Sequence, residues 1–438
     1  MEKLSSKSFQ IALTVVGIIF FVPFLGGVHL FDWDEINFAE SAREMLITGN
    51  YRQVMVNFEP FWEKPPLFFW LQALSMKIFG VNEFGARFPN AIIGVLSLNV
   101  IYVYGRKLLN DKTARWWILL YLGSITPHFY FHSGIIDPLF NLLIFLSFIQ
   151  LFLAKKNEAT SHWIYAGVFL GLAVLTKGPA AGLIILLVLG VIWVRNKFKL
   201  WFNVGQFLLF GLLTLAIASI WFIPEIIQNG PGFLNNFISY QLDLIKTPVA
   251  SHGQPWFYHP VVLLIGCFPA GVLAINRFTK VNETNDFELF LKYLFWVVLI
   301  LFSIVTTKIV HYSSLCYFSL TGLAAIRLTQ WEHGEVLRRF EKGLLWTISC
   351  LWILIFIALP IVGANLSQLL ELYPNLIKDT FTLQNLSVDA NWSVLHVILG
   401  VIAGIVLITM MVGLVRNKRL LASNMVLGFA LYLVVFLA

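Results

Sequence analysis

Charge is scarce in this chain. Only 12% of its 438 residues are Asp, Glu, Lys or Arg, while 58% are hydrophobic and the mean hydropathy is +0.80. A soluble domain carries about a quarter charged residues, so this composition excludes an ordinary soluble enzyme. Basic runs are also lacking, and the net charge of +7 therefore does not mark a nucleic-acid partner. Cysteines number three, Cys267, Cys316 and Cys350, each inside an apolar run and none in a CxxC pair. That rules against a disulfide framework and reads as small buried hydrophobes. There is no internal repeat, no low-complexity stretch and no sign of a soluble domain at either end. A cleavable signal peptide is missing too. The first apolar run follows Lys3 and Lys7, is about twenty residues long and has no small-residue cleavage site, so it reads as a signal anchor.

What the chain has is apolar runs of spanning length, one after another. They fall at roughly 9–30, 84–107, 113–131, 134–154, 162–177, 179–195, 201–223, 256–276, 287–306, 312–329, 342–362, 393–415 and 420–437, about thirteen in all. The fold expected is an all-α polytopic membrane protein, residues 1–438 forming one integral-membrane domain. Forty Phe and fifteen Trp suit lipid-facing and interfacial positions. With the N-terminus cytoplasmic, every inside loop is basic: Lys3/Lys7, Arg106/Lys107/Lys112/Arg115, Lys155/Lys156, Arg195/Lys197/Lys199, Arg277/Lys280, Arg338/Arg339/Lys342 and Arg416/Lys418/Arg419. The alternation never breaks, as the positive-inside rule requires. The outside segments 31–83, 224–255 and 363–392 are longer and mixed in charge, and the C-terminus falls outside. Residues 65–79 are apolar but too short to span, carry Gln72 and Lys77, and would invert every later loop if they crossed; they read as an interfacial helix opened by Pro65 and Pro66. Residues 34–48 form a second such helix, with Phe38, Ala39, Ala42, Met45 and Leu46 on one face and Glu40, Ser41, Arg43 and Glu44 largely on a solvated one.

Ionisable residues at membrane depth are costly, and here they gather on one side. Asp32, Asp34 and Glu35 follow the first span; Glu59, Glu63 and Lys64 precede the second interfacial helix; Asp137, with His128 and His132 nearby, opens the fourth span. Lys177 lies in a TKGP turn, and His252, Lys308 and His311 lie at later outside boundaries. Together they suit an anionic lipid-linked substrate. Plainer roles fit as well: Asp32 and Asp34 as helix caps, Asp137-Pro138 as a helix start, Lys64 and Lys177 as snorkelling lysines, His128 and His132 as interfacial histidines. The i, i+4 spacing of the two histidines leaves a divalent metal at Asp34, Asp137, His128 and His132 as an option. Arg87 either anchors the membrane interface or pairs with an acid.

The stretches DWDEINFAESAREMLITGNY and EPFWEKPPLFFWLQALSMKIFGVNEFGARFPNA resemble the first loop of the dolichyl-phosphate-mannose-protein mannosyltransferase superfamily, nearest its bacterial aminoarabinose-transferase branch. TKGP, PWFYHPVVLLIGCFP and KIVHYSSLCY resemble that branch too, so the likeness runs through roughly 30–320. It implies a GT-C-like membrane glycosyltransferase fold with catalytic motifs in the first extracytoplasmic loop, 31–83. Carried over, Asp34 matches the catalytic-loop aspartate and Glu35 its partner. Glu63 and Lys64 match an acid–lysine pair whose lysine meets the carrier phosphate. Asp137 matches a second acid of the site, and Lys177 the lysine of the TKGP turn. Arg87, Lys308 and His311 are expected to support them. Two departures leave sugar and acceptor open: Phe38 stands where the branch has Tyr, and the soluble domain that follows the last span there has no counterpart before Ala438.

The function expected is transfer of a pentose or hexose from a polyprenyl-phosphate donor to an extracytoplasmic lipid, glycan or protein, with inversion. Lys64 and Lys177 would face the leaving phosphate, and Asp34 would take the acceptor proton. The partners are then the lipid-linked donor, the acceptor and membrane lipids, in the plasma or inner membrane with the site periplasmic. A transporter or flippase of lipid-linked sugars is the rival; it would place charge at the bilayer midplane and show repeated halves. A non-catalytic membrane assembly partner is the third reading.

Overall fold

The computed structural model describes residues 6–31, 33–247, 253–279, 285–373, 377, 383 and 392–436. Two compact units emerge, residues 1–329 and 330–438, a division that the even run of apolar segments does not announce. The protein is a multi-pass membrane protein, built almost wholly of helices.

In the first unit α1 is Ser6–Phe21, α2 Trp33–Thr48, α3 Leu67–Phe79, α4 Glu83–Leu108, α5 Asp111–Leu122 and α6 Ile125–Phe131. There follow α7 Asp137–Asn157, α8 Thr160–Lys177, α9 Ala180–Arg195, α10 Val204–Lys246, α11 Tyr258–Gly266, α12 Ala270–Thr279 and α13 Asp286–Ile304. Helix α14, Cys316–Glu332, crosses the boundary between units. The second unit holds α15 Arg339–Ala364, the short α16 Leu366–Leu372, α17 Val394–Val415 and α18 Arg419–Phe436. There α15 packs on α17 and α17 on α18. Among the described residues, six helices are singly long and apolar enough to cross a membrane: α4, α7, α10, α13, α15 and α17.

Each expected span contains a helix, but three segments differ from expectation. The run 113–131 is two helices, α5 and α6, parted at Gly123-Ser124, where the Ser124 hydroxyl turns back to the Leu120 carbonyl at 2.6 Å. The run 256–276 is α11 and α12, bent by 117°. Pro269 stands at that corner and has no N–H to continue a helix. The outside segment 224–255 is helical as far as Lys246, because α10 runs through it with a kink at Gly230 (φ 67°) followed by Pro231. Of the 363–392 segment, the part between 374 and 391 lies outside the described residues apart from 377 and 383.

Close helix packing rests on small residues. Gly167 and Gly171, one turn apart on α8, face α10, where an added Cβ would lie 2.8 Å from the Phe210 carbonyl and 2.7 Å from Ile217. Without a hydrophobic drive between helices in lipid, such backbone approach supplies the attraction. The pair α8–α10, with α7 against α8, forms the scaffold of the site.

The first loop is structured as expected, with one addition. Helix α2 buries Phe38, Ala39, Ala42 and Met45, and α3 lies on it and on α4. At thirteen residues α3 is about 20 Å long, short of the roughly 30 Å hydrocarbon core. Between α2 and α3 a hairpin pairs β1, Met55–Val56, with β2, Glu59–Pro60. The solvated face expected on α2 is only partly so. Glu40 pairs with Arg43 at 2.5 Å, but Glu44 is buried and accepts the Phe58 amide of the hairpin turn at 2.9 Å. Burial pushes the Glu44 carboxyl above its usual range against that amide bond.

Candidate active site

Three inputs hold the segment 133–135, which leads into α7. Gln72 of α3 donates to the Gly134 carbonyl at 3.2 Å, Asn90 of α4 donates to the carbonyls of Ser133 and Ile135 at 2.5 and 2.7 Å, and the Gly134 amide donates to Glu35 at 2.5 Å. Asp137, the first residue of α7, is thereby fixed relative to the first turn of α2. Gln72 and Asn90 were missed as site-building residues. Their signal was the rarity of a buried amide on an apolar helix.

Glu35 is committed elsewhere than expected. It is fully buried, receives Arg87 through both carboxylate oxygens at 2.8 and 2.9 Å, and also accepts the Phe31 and Gly134 amides. Arg87 spends its remaining donors on the carbonyls of Leu25, Val28 and His29, at 2.8, 2.8 and 2.9 Å. The pair ties α4 to the start of the first loop, which resolves the two alternatives for Arg87: it pairs with an acid. With its acceptor positions filled, Glu35 holds the backbone on which Asp34 sits.

Asp34 faces the other way. The His311 ring nitrogen Nε2, on a 3₁₀ turn Val310–Ser313, lies 3.5 Å from Asp34 Oδ2 and 3.7 Å from Asp137 Oδ2. Asp137 Oδ1 pairs with the Lys177 ammonium at 2.6 Å, and Asp137 Oδ2 is buried with no hydrogen bond. A quarter of the Asp34 side chain is exposed, against 3% for Asp137. Burial alone would raise the Asp34 carboxyl, but His311 and the charges of Lys64 and Lys177 hold it down to about 2.

Lys64 comes from the loop before α3. Its ammonium is 3.2 Å from the Tyr240 hydroxyl, 4.4 Å from the centre of that ring, and 3.9 Å from Glu63. Burial pulls it below the usual lysine range, against the opposing charges of Glu63 and Asp34. Gln241 donates to the Glu63 carbonyl at 3.3 Å, so the outer part of α10 grips this loop. Lys177 stands 4.6 Å from the ring centre of Tyr312. Tyr312, too, was not singled out in the sequence, although it lies in the KIVHYSS stretch.

Both lysines line one open cavity. Its other walls are largely apolar, with Phe140 of α7, Pro179, Ala180 and Leu183 at the start of α9, Leu244 and Ile245 of α10, and Leu301 and Phe302 of α13, beside Gln241 and Tyr312. An apolar trough ending in two ammonium groups fits an amphiphile with an anionic head.

The remaining expected residues stand apart. Lys308 is buried and donates to the Val305 carbonyl at 2.7 Å. His128 and His132 are buried beside Phe21 rather than interfacial, their ring centres 4.6 Å apart. Among the described residues no group of three or more His, Cys, Asp or Glu is placed to hold a metal ion, so Asp34, Asp137, His128 and His132 do not form one ligand set. Asp32 and His252 lie outside the described residues.

Residues 63–223 match the family model described as dolichyl-phosphate-mannose-protein mannosyltransferase. Among curated relatives, an undecaprenyl phosphate-alpha-4-amino-4-deoxy-L-arabinose arabinosyl transferase of Edwardsiella ictaluri is 26% identical over 342 residues, 74% of this chain and 61% of that protein. The enzyme of the same name from an Enterobacter species is 29% identical over 312 residues, 68% of this chain and 55% of its own. The chain thus spans less than two thirds of the length of these relatives. The crystal structure of ArnT from Cupriavidus metallidurans bound to undecaprenyl phosphate superposes with a TM-score of 0.80 at 19% identity, covering 99% of this chain and 77% of that one. The chain is a multi-pass membrane protein with the fold of the Cupriavidus protein, and it is similar, through residues 63–223, to the dolichyl-phosphate-mannose-protein mannosyltransferase family.

Proposed function

We propose that this protein is an inverting glycosyltransferase that moves a sugar from a polyprenyl-phosphate donor to an extracytoplasmic lipid, glycan or protein hydroxyl. The observation that carries the reading is the apolar cavity ending at Lys64 and Lys177, beside the group of Asp34, Asp137 and His311. The names of the relatives, and the undecaprenyl phosphate bound by the Cupriavidus protein, agree with it.

In this mechanism the prenyl tail lies in the apolar trough and the phosphate meets the two ammonium groups. The acceptor oxygen attacks the anomeric carbon from the face opposite the phosphate. As the new C–O bond forms, the bond to the phosphate oxygen breaks, and its electron pair leaves on the phosphate, stabilised by Lys64 and Lys177. The acceptor proton passes to Asp34. Of the two aspartates, Asp34 is the accessible one, while Asp137 is sealed in and holds Lys177. A carboxyl held near 2 is a weak base, so the rate must come from positioning and from the departing phosphate. Glu35 and Arg87 act as positioning residues. The N-terminus is cytoplasmic and the site periplasmic, as the basic loops suggest.

The test is transfer from a panel of radiolabelled polyprenyl-phosphate sugars into isolated membranes. Asp34→Asn should lower transfer about a hundred- to ten-thousandfold at unchanged protein level. Lys64→Ala should abolish it at donor concentrations that saturate the wild type. Full activity in both variants would refute the site, and lipid-sugar movement without covalent transfer would favour a flippase.

A further inference from the structure

The helices that frame the cavity also frame a second, different site at their far ends. Helices α7, α9 and α13 contribute Phe140, Leu183 and Leu301 to the cavity and then run away from it, ending at or beginning from Lys155, Arg195 and Asp286. Fifteen residues separate Asp286 from Leu301, so the two places lie about 22 Å apart along the helix. There two adjoining open crevices share Lys155 and Asp286. The larger is lined by Phe152, Lys155, Lys156, Asn285 and Asp286, and the smaller adds Arg195.

The charges in this crevice are unspent. Some cations elsewhere in the first unit have acids: Arg115 has Asp111, Arg277 has Glu288, Lys177 has Asp137. Among the described residues, Lys155, Lys156 and Arg195 have no carboxylate within ion-pair distance. Lys155 and Arg195 instead rest 5.3 and 5.9 Å from the ring centres of Phe290 and Tyr293. Asp286 shares the same crevice and is paired with none of them. Three cations and one acid spread over two adjoining gaps, with no ion pair among them, match a ligand that carries both signs.

We infer that this crevice binds the head group of an aminophospholipid, its phosphate held by Lys155, Lys156 and Arg195 and its ammonium by Asp286. The acyl chains follow the apolar stripes that α9 and α13 expose, with Leu186 and Val191 on one and Trp296 and Ile300 on the other. Phosphatidylethanolamine has this chemistry. Phosphatidylglycerol lacks the amine, and a polyprenyl phosphate lacks it as well, so Asp286 discriminates among them. The site is independent of the transfer reaction: its occupant is neither donor nor acceptor, and its test needs no turnover.

The full chain, purified in detergent and stripped of lipid, is titrated separately with phosphatidylethanolamine, phosphatidylglycerol and undecaprenyl phosphate, and bound lipid is counted by native mass spectrometry. Wild type should prefer phosphatidylethanolamine to phosphatidylglycerol. Lys155→Gln with Lys156→Gln and Arg195→Gln should weaken both phospholipids by at least about tenfold, the loss expected for a charge-assisted contact. The same variant should leave undecaprenyl phosphate binding unchanged. Asp286→Asn should erase the preference only, and Lys155→Arg with Lys156→Arg should retain it, which separates lost charge from lost fold. Unaltered phosphatidylethanolamine binding in the triple variant would overturn the site, and an unaltered preference in Asp286→Asn would overturn the assignment of the amine. Loss of undecaprenyl phosphate in the triple variant would make the crevice a second carrier site instead.

Discussion

Neighbouring acids of one helical turn have been given opposite work. Asp34 looks towards His311, while Glu35 is locked to Arg87. Replacing Glu35 with Gln leaves the Arg87 guanidinium buried without its counter-charge, and breaking such a pair costs about 3–5 kcal/mol. The expected result is a large fall in thermal melting temperature in detergent, with donor affinity retained in whatever fraction stays folded. For Asp34 the prediction concerns pH. Its carboxyl falls from 3.8 to about 2, so the stability it contributes is complete above about 3.8 and is lost only as the pH drops through about 2. Over the range where an assay runs, wild type should therefore show no acid limb from this group. In His311→Gln the strongest opponent of burial is gone, the Asp34 carboxyl rises, and an acid limb in kcat/KM should move up towards the assay range. An unchanged profile would mean that His311 does not govern Asp34.

Turns decide more of this site than helices do. Lys177 ends α8, and Gly178 after it has φ +87° and ψ −158°, a region that is essentially glycine's alone. A Cβ there would also sit 2.9 Å from the Phe237 ring. Gly178→Ala should cost about 1–3 kcal/mol in backbone strain, and by swinging Lys177 away it should raise the KM for donor more than it lowers kcat. Such features mark where the sequence could be read and where it could not. The stripe of Phe38, Ala39, Ala42 and Met45 foretold α2, because burial and periodicity are the same fact in a helix. Glu44 broke the pattern: its partner is the Phe58 amide in a hairpin of two-residue strands, too short to leave a periodic signal. The kink at Gly230 and the corner at Pro269 were written as Gly and Pro, but hydropathy averages across both. Distances were never legible. Nothing in the spacing of Lys64, Asp137 and Lys177 says that a histidine at 311 stands between two aspartates.

Across the whole molecule, the proposed orientation can be checked without any substrate. In a background free of Cys267, Cys316 and Cys350, a cysteine at Asn57 in the hairpin turn should react with an impermeant thiol reagent added to intact cells. One at Glu158, beyond α7, should react only after the membrane is opened. The reverse pattern would invert the proposed orientation and with it the side on which the acceptor is found.

The Asp137–Lys177 contact has a consequence for turnover. Asp137 begins a helix and Lys177 ends one, so each charge is favoured by its own helix end whether or not the other is present. Asp137 occupies the ammonium that the proposed phosphate would use. A departing lipid phosphate carries more negative charge than the sugar-linked donor and would cling to an open pair of lysines. In the proposed reaction, Asp137 at 2.6 Å would give Lys177 somewhere to return to, and the spent carrier would be exchanged for a resident counter-ion instead of being torn from a bare cation.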